Sequence, residues 1–345
     1  MNSFLDNIKT ALIVGEKGSG KTTGFLFNEF ENFIIKNESF LVIDNKLEYY
    51  NNYLKMLKIK GYEVLVINFD DPSHSDNYNP LIKPYKLYNS GLVDASLEKL
   101  RTLANYIIGD VGDAQNLFLA SALLLFTKFS IQDINMGNLC NLINAVYTQK
   151  FDHYFFQLND SNPIKILINS CIHMDYAYQI IKDQLVNYYL LRPNLLNLLA
   201  NDKDIFAFEK KAIFIKCSKL EESSRLIPYI VEEYALSDNI SFGKNNLILE
   251  YIDEIKKINN LEYIVNYVNN LRIIMVTKNL DYFKSKYGLK VVDLADYIFV
   301  IHNGNFRFNN VTYDLNYIYD KKFKEDLPTT SLLYKAIDFD SILFK

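Results

Sequence analysis

Residues 15–22 read Gly15-Glu16-Lys17-Gly18-Ser19-Gly20-Lys21-Thr22 and follow directly on the apolar run Ala11-Leu-Ile-Val14. The spacing is G-x-x-x-x-G-K-[ST], the loop between a strand and a helix whose main-chain N–H groups surround a phosphate. Gly15, Gly18 and Gly20 let the backbone turn tightly enough for consecutive N–H groups to point inward. Lys21 is placed to reach the β- and γ-phosphates, and the Thr22 hydroxyl to complete the coordination of Mg2+. Glu16, Lys17, Ser19 and Thr23 fill out the loop around the nucleotide. A helix over 21–35, with Phe25, Leu26, Phe30, Phe33 and Ile34 on its apolar face, adds its positive amino-terminal end. Strand, loop and helix in this order predict a site for ATP and Mg2+.

Outward from the loop, Phe40-Leu-Val-Ile43 is a fully apolar strand ending at Asp44, as in a buried parallel sheet. A helix over 47–60 stops at Gly61, and Glu63-Val-Leu-Val-Ile67 is a third strand. Residues 69–88 hold Pro72, Pro80 and Pro84 and read as a long ordered loop. From about residue 92 to 200 the apolar spacing is helical throughout, including a buried helix at 117–129. The strand pattern returns at Ala212-Ile-Phe-Ile-Lys-Cys217, then at 247–252, 272–277 and 297–301, with a hairpin over 306–313. The fold class is therefore α/β: a RecA-like P-loop core with a mostly parallel sheet, formed by residues 1–91 and 206–345, and an inserted all-helical domain at 92–205.

The 345 residues are 49% hydrophobic and 23% charged, which is a globular balance with ample core. A net charge of −4 excludes a global basic field, so nucleic acid must be met by local patches. Cys140, Cys171 and Cys217 fit no metal spacing and read as reduced thiols of a cytosolic protein. His74, His153, His173 and His302 are too scattered to ligate a metal. The apolar run at 117–126 is too short to span a bilayer, and residues 1–9 do not form a signal peptide.

A P-loop needs a partner strand ending in an acid beside the magnesium. Leu247-Ile-Leu-Glu-Tyr-Ile252 followed by Asp253-Glu254 supplies one. Asp253 is expected to hold Mg2+ with Thr22, and Glu254 to polarise the attacking water as general base. Glu250 falls inside this strand, where it would face a helix layer and pair with a lysine.

Beyond the P-loop, Asp44-Asn-Lys46-Leu-Glu48 resembles the Asp-Pro-Lys-Gly-Glu segment of type IV secretion coupling proteins, the TraG/TraD group. Gly61 to Pro72 is similar to that family's next strand, and Asn77-Tyr-Asn79-Pro80-Leu81 to its Asn-Pro-Leu box. The helical insertion, Asp253-Glu254 and Tyr287-Gly288 follow in the family's order, so the resemblance covers roughly residues 11–305. It implies a homo-hexameric, ATP-driven motor that moves DNA and its attached relaxase into a secretion channel. Three departures stand out: residues 1–10 leave no room for the family's membrane helices, Lys278 stands where the family has a sensor glutamine, and Tyr267 where it often has an arginine, with Arg272 close by. Lys278 is thereby implied in catalysis, and membrane contact falls to a partner at the inner face of the cell membrane.

Lys284, Lys286 and Lys290, mixed with Tyr282, Phe283 and Tyr287, read either as a pore loop gripping DNA phosphates or as a solvated helix face. Arg225 is a candidate to reach a neighbour's γ-phosphate, and Lys321, Lys322 and Lys324 read as surface charge. Two functions fit: a DNA-pumping motor, or an ATP-switched module that recruits relaxase or secretion-channel proteins without moving anything.

Overall fold

The computed structural model describes residues 4–145, 157–200, 204–206, 210–218, 225–237, 245–302, 304–308, 311–314, 327–328 and 336–337. His153 and Lys321, Lys322 and Lys324 lie outside them. The chain divides into two compact units, one formed by residues 1–70 and 206–327, the other by 71–205 with the residues after 327.

The first unit opens with β1 (Thr10–Val14), the P-loop, and α1, whose first turns (Lys21–Leu26) are wound as a π-helix and whose remainder (Phe27–Ile35) is α-helical. Next come β2 (Ser39–Ile43), α2 (Glu48–Ile59) and β3 (Glu63–Asn68).

The second unit is helical among the described residues: α3 (Ile82–Asn89), α4 (Val93–Ile107), α5 (Gly112–Lys128), α6 (Met136–Ala145), α7 (Pro163–Asn169), α8 (Met174–Ile181) with its continuation to Leu190, and α9 (Pro193–Leu198). It starts at Asp71 rather than at 92, because α3 packs along α4 and belongs with it. Residues 82–89 are thus a helix and not loop: Pro84 sits in the first turn, where no intrahelical N–H bond is lost. Every residue from Leu117 to Phe126 of α5 is buried, which explains its lack of a polar stripe. No helix among the described residues is long and apolar enough to cross a membrane.

The chain then completes the sheet with β4 (Lys211–Lys216), α10 (Leu226–Ala235), β5 (Asn245–Leu249), α11 (Leu261–Tyr267), β6 (Arg272–Thr277), α12 (Leu280–Tyr287), α13 (Leu289–Asp293), β7 (Tyr297–His302) and the hairpin β8 (Asn305–Phe308) and β9 (Val311–Asp314). The strand order is β3-β4-β2-β5-β6-β1-β7-β8-β9. β1 to β7 pair in parallel, and only the hairpin is antiparallel. β6 lies between the P-loop strand and β5, so the carboxyl ends of all three open on one edge.

Both faces of the central strands are covered, which is why β2 and β6 are buried at every position. On one face α1 and α2 lay Phe27, Phe30, Tyr49 and Tyr53 against Phe40 and Phe214, with Phe30 and Phe40 centroids 4.4 Å apart. Each such ring contributes roughly 1.5–3 kcal/mol through burial.

The opposite edge carries a buried charge. Arg272 at the start of β6 donates to Glu38 Oε2 at 2.8 Å, to Asn246 Oδ1 at 2.6 Å and to the Asp6 carbonyl at 3.3 Å, with its guanidinium 4.8 Å from the Phe33 ring centroid. It lies at the amino ends of the strands, so it serves the sheet. Arg272→Ala leaves Glu38 buried without a counter-charge and is expected to cost about 3–5 kcal/mol, read by urea unfolding. Arg272→Met with Glu38→Gln loses much less.

Candidate active site

The P-loop geometry follows from where side chains cannot go. A Cβ on Gly15 would stand 2.7 Å from the Ile301 carbonyl and 2.6 Å from Ser19 Oγ, so the loop closes only over a bare α-carbon. Gly20 has φ 97° and makes the left-handed turn into α1. Its carbonyl accepts from both Gly24 N (2.9 Å) and Phe25 N (3.1 Å), widening the first turn. The Lys21 ammonium folds back on the carbonyls of Gly15 and Glu16. Burial lowers its pKa, and the Glu250 carboxylate acts in the opposite sense. The Ser19 hydroxyl is buried with no protein partner.

Opposite the loop, Glu250 is the first residue past β5, and the strand does not extend to 252. Its partner is not a lysine: Oε1 accepts a hydrogen bond from the Thr22 hydroxyl, and the carboxylate is buried. The buried Tyr49 hydroxyl stands against the same carboxylate as a second donor. Burial pushes the Glu250 carboxyl up to about 7 against the pull of the Thr22 bond. The chain then reverses through Tyr251, whose φ of 61° is unusual for an aromatic residue.

The reversal sends the acid pair toward β6. Asp253 accepts from the Thr277 hydroxyl (2.8 and 2.9 Å) and from Lys278 N (2.7 Å), and Glu254 forms an ion pair with the Lys278 ammonium. All these groups line one cavity of about 380 Å3, together with Lys17, Gly18, Gly20, Lys21, Thr22 and Thr23. Thr22 and Asp253 share that cavity, but the carboxylate that touches Thr22 is Glu250. Sequence reasoning missed it, because the Asp-Glu pair three residues on carries the stronger signal. The legible sign was a lone acid in an otherwise apolar strand, at the distance where the strand should end.

The motifs flanking the P-loop divide their labour. Asp44 is buried and accepts from Glu48 N (2.7 Å) and Tyr50 N (3.0 Å), which starts α2 after the left-handed Leu47. Burial raises its carboxyl to about 8, with those two N–H groups pulling it down. α2 in turn carries Glu48 into the cavity wall, 3.3 Å from Lys46, which also lines it. The Asn-Pro-Leu box lies in the helical unit and is structural there. Asn77 donates to the Asn197 carbonyl (2.6 Å) and Asn79 to that of Ile134 (2.5 Å).

The basic and aromatic stretch is helix α12 and the start of α13, and not a loop. Phe283 and Tyr287 are buried, Lys284 pairs with Asp281 at 3.8 Å, and Lys290 with Glu262 at 3.5 Å. Lys286 is turned inward onto main-chain carbonyls of residues 252–255. Arg225 stands at the start of α10 and does not line the cavity.

Residues 2–162, just under half of the chain, match the family described as type IV secretory system conjugative DNA transfer. No curated protein matches the sequence. Among solved structures, the chain is similar to the plasmid coupling protein TrwB in complex with ADP and Mg2+, at 13% identity over 85% of this chain and 70% of that one, TM-score 0.52. The trigonal form of TrwBdeltaN70 with sulphate matches at 12% identity and TM-score 0.53, over the same shares. VirB4 of Thermoanaerobacter pseudethanolicus matches at 10% identity over 91% of both chains, TM-score 0.53. At such identities these are likenesses of fold: a RecA-like P-loop core with a mostly parallel sheet. The family match falls on the residues that carry the P-loop, the segment after β2 and the Asn-Pro-Leu box.

The donor set tests the fit of a nucleotide and its metal. Ser19 Oγ is a buried hydroxyl with no protein partner, able to donate to a phosphate oxygen, and Thr22 Oγ1 and Glu250 are the hard oxygen donors that Mg2+ takes. Lys21→Ala should weaken ATP binding at least about tenfold, or about 1.4 kcal/mol, with or without metal. Glu250→Gln should weaken it only when Mg2+ is present, and by more than Asp253→Asn does. Titration of a fluorescent ATP analogue in Mg2+ and in EDTA reads all three.

Proposed function

We propose that this coupling-protein-like chain is a Mg2+-dependent ATPase that moves DNA, or relaxase-bound DNA, toward a type IV secretion channel. The observation that carries the chemistry is the single cavity in which Lys21, Thr22, Glu250 and Glu254 converge. The P-loop N–H groups and Lys21 hold the phosphates. Thr22 and Glu250, with Asp253 lining the same cavity, would hold the metal, which would neutralise charge developing on the transferred phosphoryl group. Glu254 orients the attacking water and takes its proton. Lys278, at the end of β6, faces both Glu254 and the cavity, the place from which a cation senses the γ-phosphate.

The cargo reading rests on the conjugative DNA transfer family match. In this reading the protein works as a homo-hexamer on the cytoplasmic side of the membrane. Each site lies at a subunit boundary completed by the neighbour's cation. A second reading has one specific observation in its favour. Glu254 is engaged by Lys278, so the base must be released before it can act, and a protein that turns over slowly suits an ATP-gated recruiting switch.

The rate of ATP hydrolysis against protein concentration, with and without single- and double-stranded DNA, separates the two. The motor reading expects a low basal rate per subunit that rises with concentration and increases several-fold with DNA at low salt. Glu254→Gln should keep ATP bound and abolish turnover, whereas Lys278→Gln, which puts the family's sensor residue in place and frees the base, should raise it if the lysine only slows a working motor. A rate per subunit that is flat in concentration and blind to DNA would sink the motor and leave the switch.

A further inference from the structure

One half-buried lysine beside the acid pair has no part in this chemistry, yet its contacts are the most exacting in the region. Lys286, near the end of α12, directs its ammonium at the turn after β5 and donates to three main-chain carbonyls: Ile252 at 2.9 Å, Asp253 at 3.1 Å and Ile255 at 2.5 Å. An ammonium has three protons, so every donor is used. These bonds are charge-assisted and stronger than those between neutral groups. Ile252 and Ile255 anchor the turn by burial, but its main chain makes few other bonds. It starts from Tyr251 in the left-handed region, and its own main-chain bonds are Glu254 N to the Tyr251 carbonyl (2.7 Å) and Ile255 N to the same oxygen (3.3 Å). The Tyr282 hydroxyl of α12 adds a long bond to the Asp253 carbonyl at 3.4 Å. The acid pair is thus held twice from one side: its carboxylates by Thr277 and Lys278, its main chain by Lys286.

We propose that Lys286 is a positioning residue for the acid pair, fixing the main chain of residues 252–255 so that Asp253 and Glu254 face the nucleotide cavity. The same bonds tie the acid turn to α12, so a displacement of that helix moves the pair. A lysine spent in this way is not a DNA-gripping side chain, whatever the composition around it implies. The effect on turnover rests on reading Glu254 as the base, whereas the effect on the turn does not, and the test separates them.

Lys286→Met removes the three donors and keeps the apolar stem, and Lys286→Gln keeps a neutral donor. Two quantities are read on the full chain: amide hydrogen exchange of residues 251–258, and kcat alongside the Kd for ATP. Lys286→Met should speed exchange in 251–258 at least tenfold while leaving residues 15–22 unchanged. It should lower kcat at least tenfold with Kd changed less than twofold, and Lys286→Gln should fall between. If Lys286→Met does not fold, Lys286→Gln carries both readouts. Exchange in 251–258 that matches the wild type, or an affinity for ATP that falls in step with kcat, overturns the proposal. A wild-type chain that binds ATP and never hydrolyses it, with exchange still accelerated in the variants, upholds the positioning and rejects the ATPase reading.

Discussion

The hydrogen bond from the Thr22 hydroxyl to the Glu250 carboxylate joins the first turn of α1 to the end of β5, and the site depends on that junction. It requires that β1 and β5 finish at the same edge of the sheet with β6 between them, which parallel pairing on both sides of β6 enforces. It also requires Gly15, since any side chain there would collide with the Ile301 carbonyl of β7. The loop, the acid and the strand ends are thereby one construction. A disturbance at any of them changes the distance between the Lys21 ammonium and the Glu250 carboxylate.

Electrostatics explain how the charged groups of this construction pair with one another. Lys21, Lys278, Glu250, Asp253 and Glu254 surround one cavity, partly withdrawn from water, where an unpaired charge is costly. The cations therefore find partners within the protein: Lys21 takes the loop's own carbonyls and Lys278 takes Glu254.

The far edge of the sheet solves a different problem with the same materials. Arg272, Glu38 and Asn246 pair three strand starts deep in the core, where truncating one member leaves another stranded. Arginine there is a structural cation, and its distance from the carboxyl ends removes it from any exchange with nucleotide. The helical unit likewise spends polar residues on its own turns, as the Asn77 and Asn79 amides show. Motifs that read as functional because they recur in a family can be the staples of a loop.

The sequence by itself determined the α/β class, the parallel strands and the nucleotide loop, because these rest on local rules. Apolar runs such as Phe40 to Ile43 must be buried on both faces, and Gly15, Gly18 and Gly20 permit what no other residue does. It also marked the helical insertion through its 3.6-residue period, although not that α3 joins it, since Pro84 reads as a breaker until its place in a first turn is known. Only the tertiary structure decided which acid meets Thr22 and what Lys286 does. A carboxylate's partner depends on where its strand stops and how the next residue turns. Tyr251 adopts a conformation that nothing in its neighbours' identities announces, and that one reversal sends Glu250 to the P-loop and Asp253 to β6. Charge counting placed Lys286 with the exposed lysines around it. The fold brought three carbonyls from a turn some thirty residues away within reach of its ammonium, and long-range proximity of that kind leaves no periodic trace in a sequence.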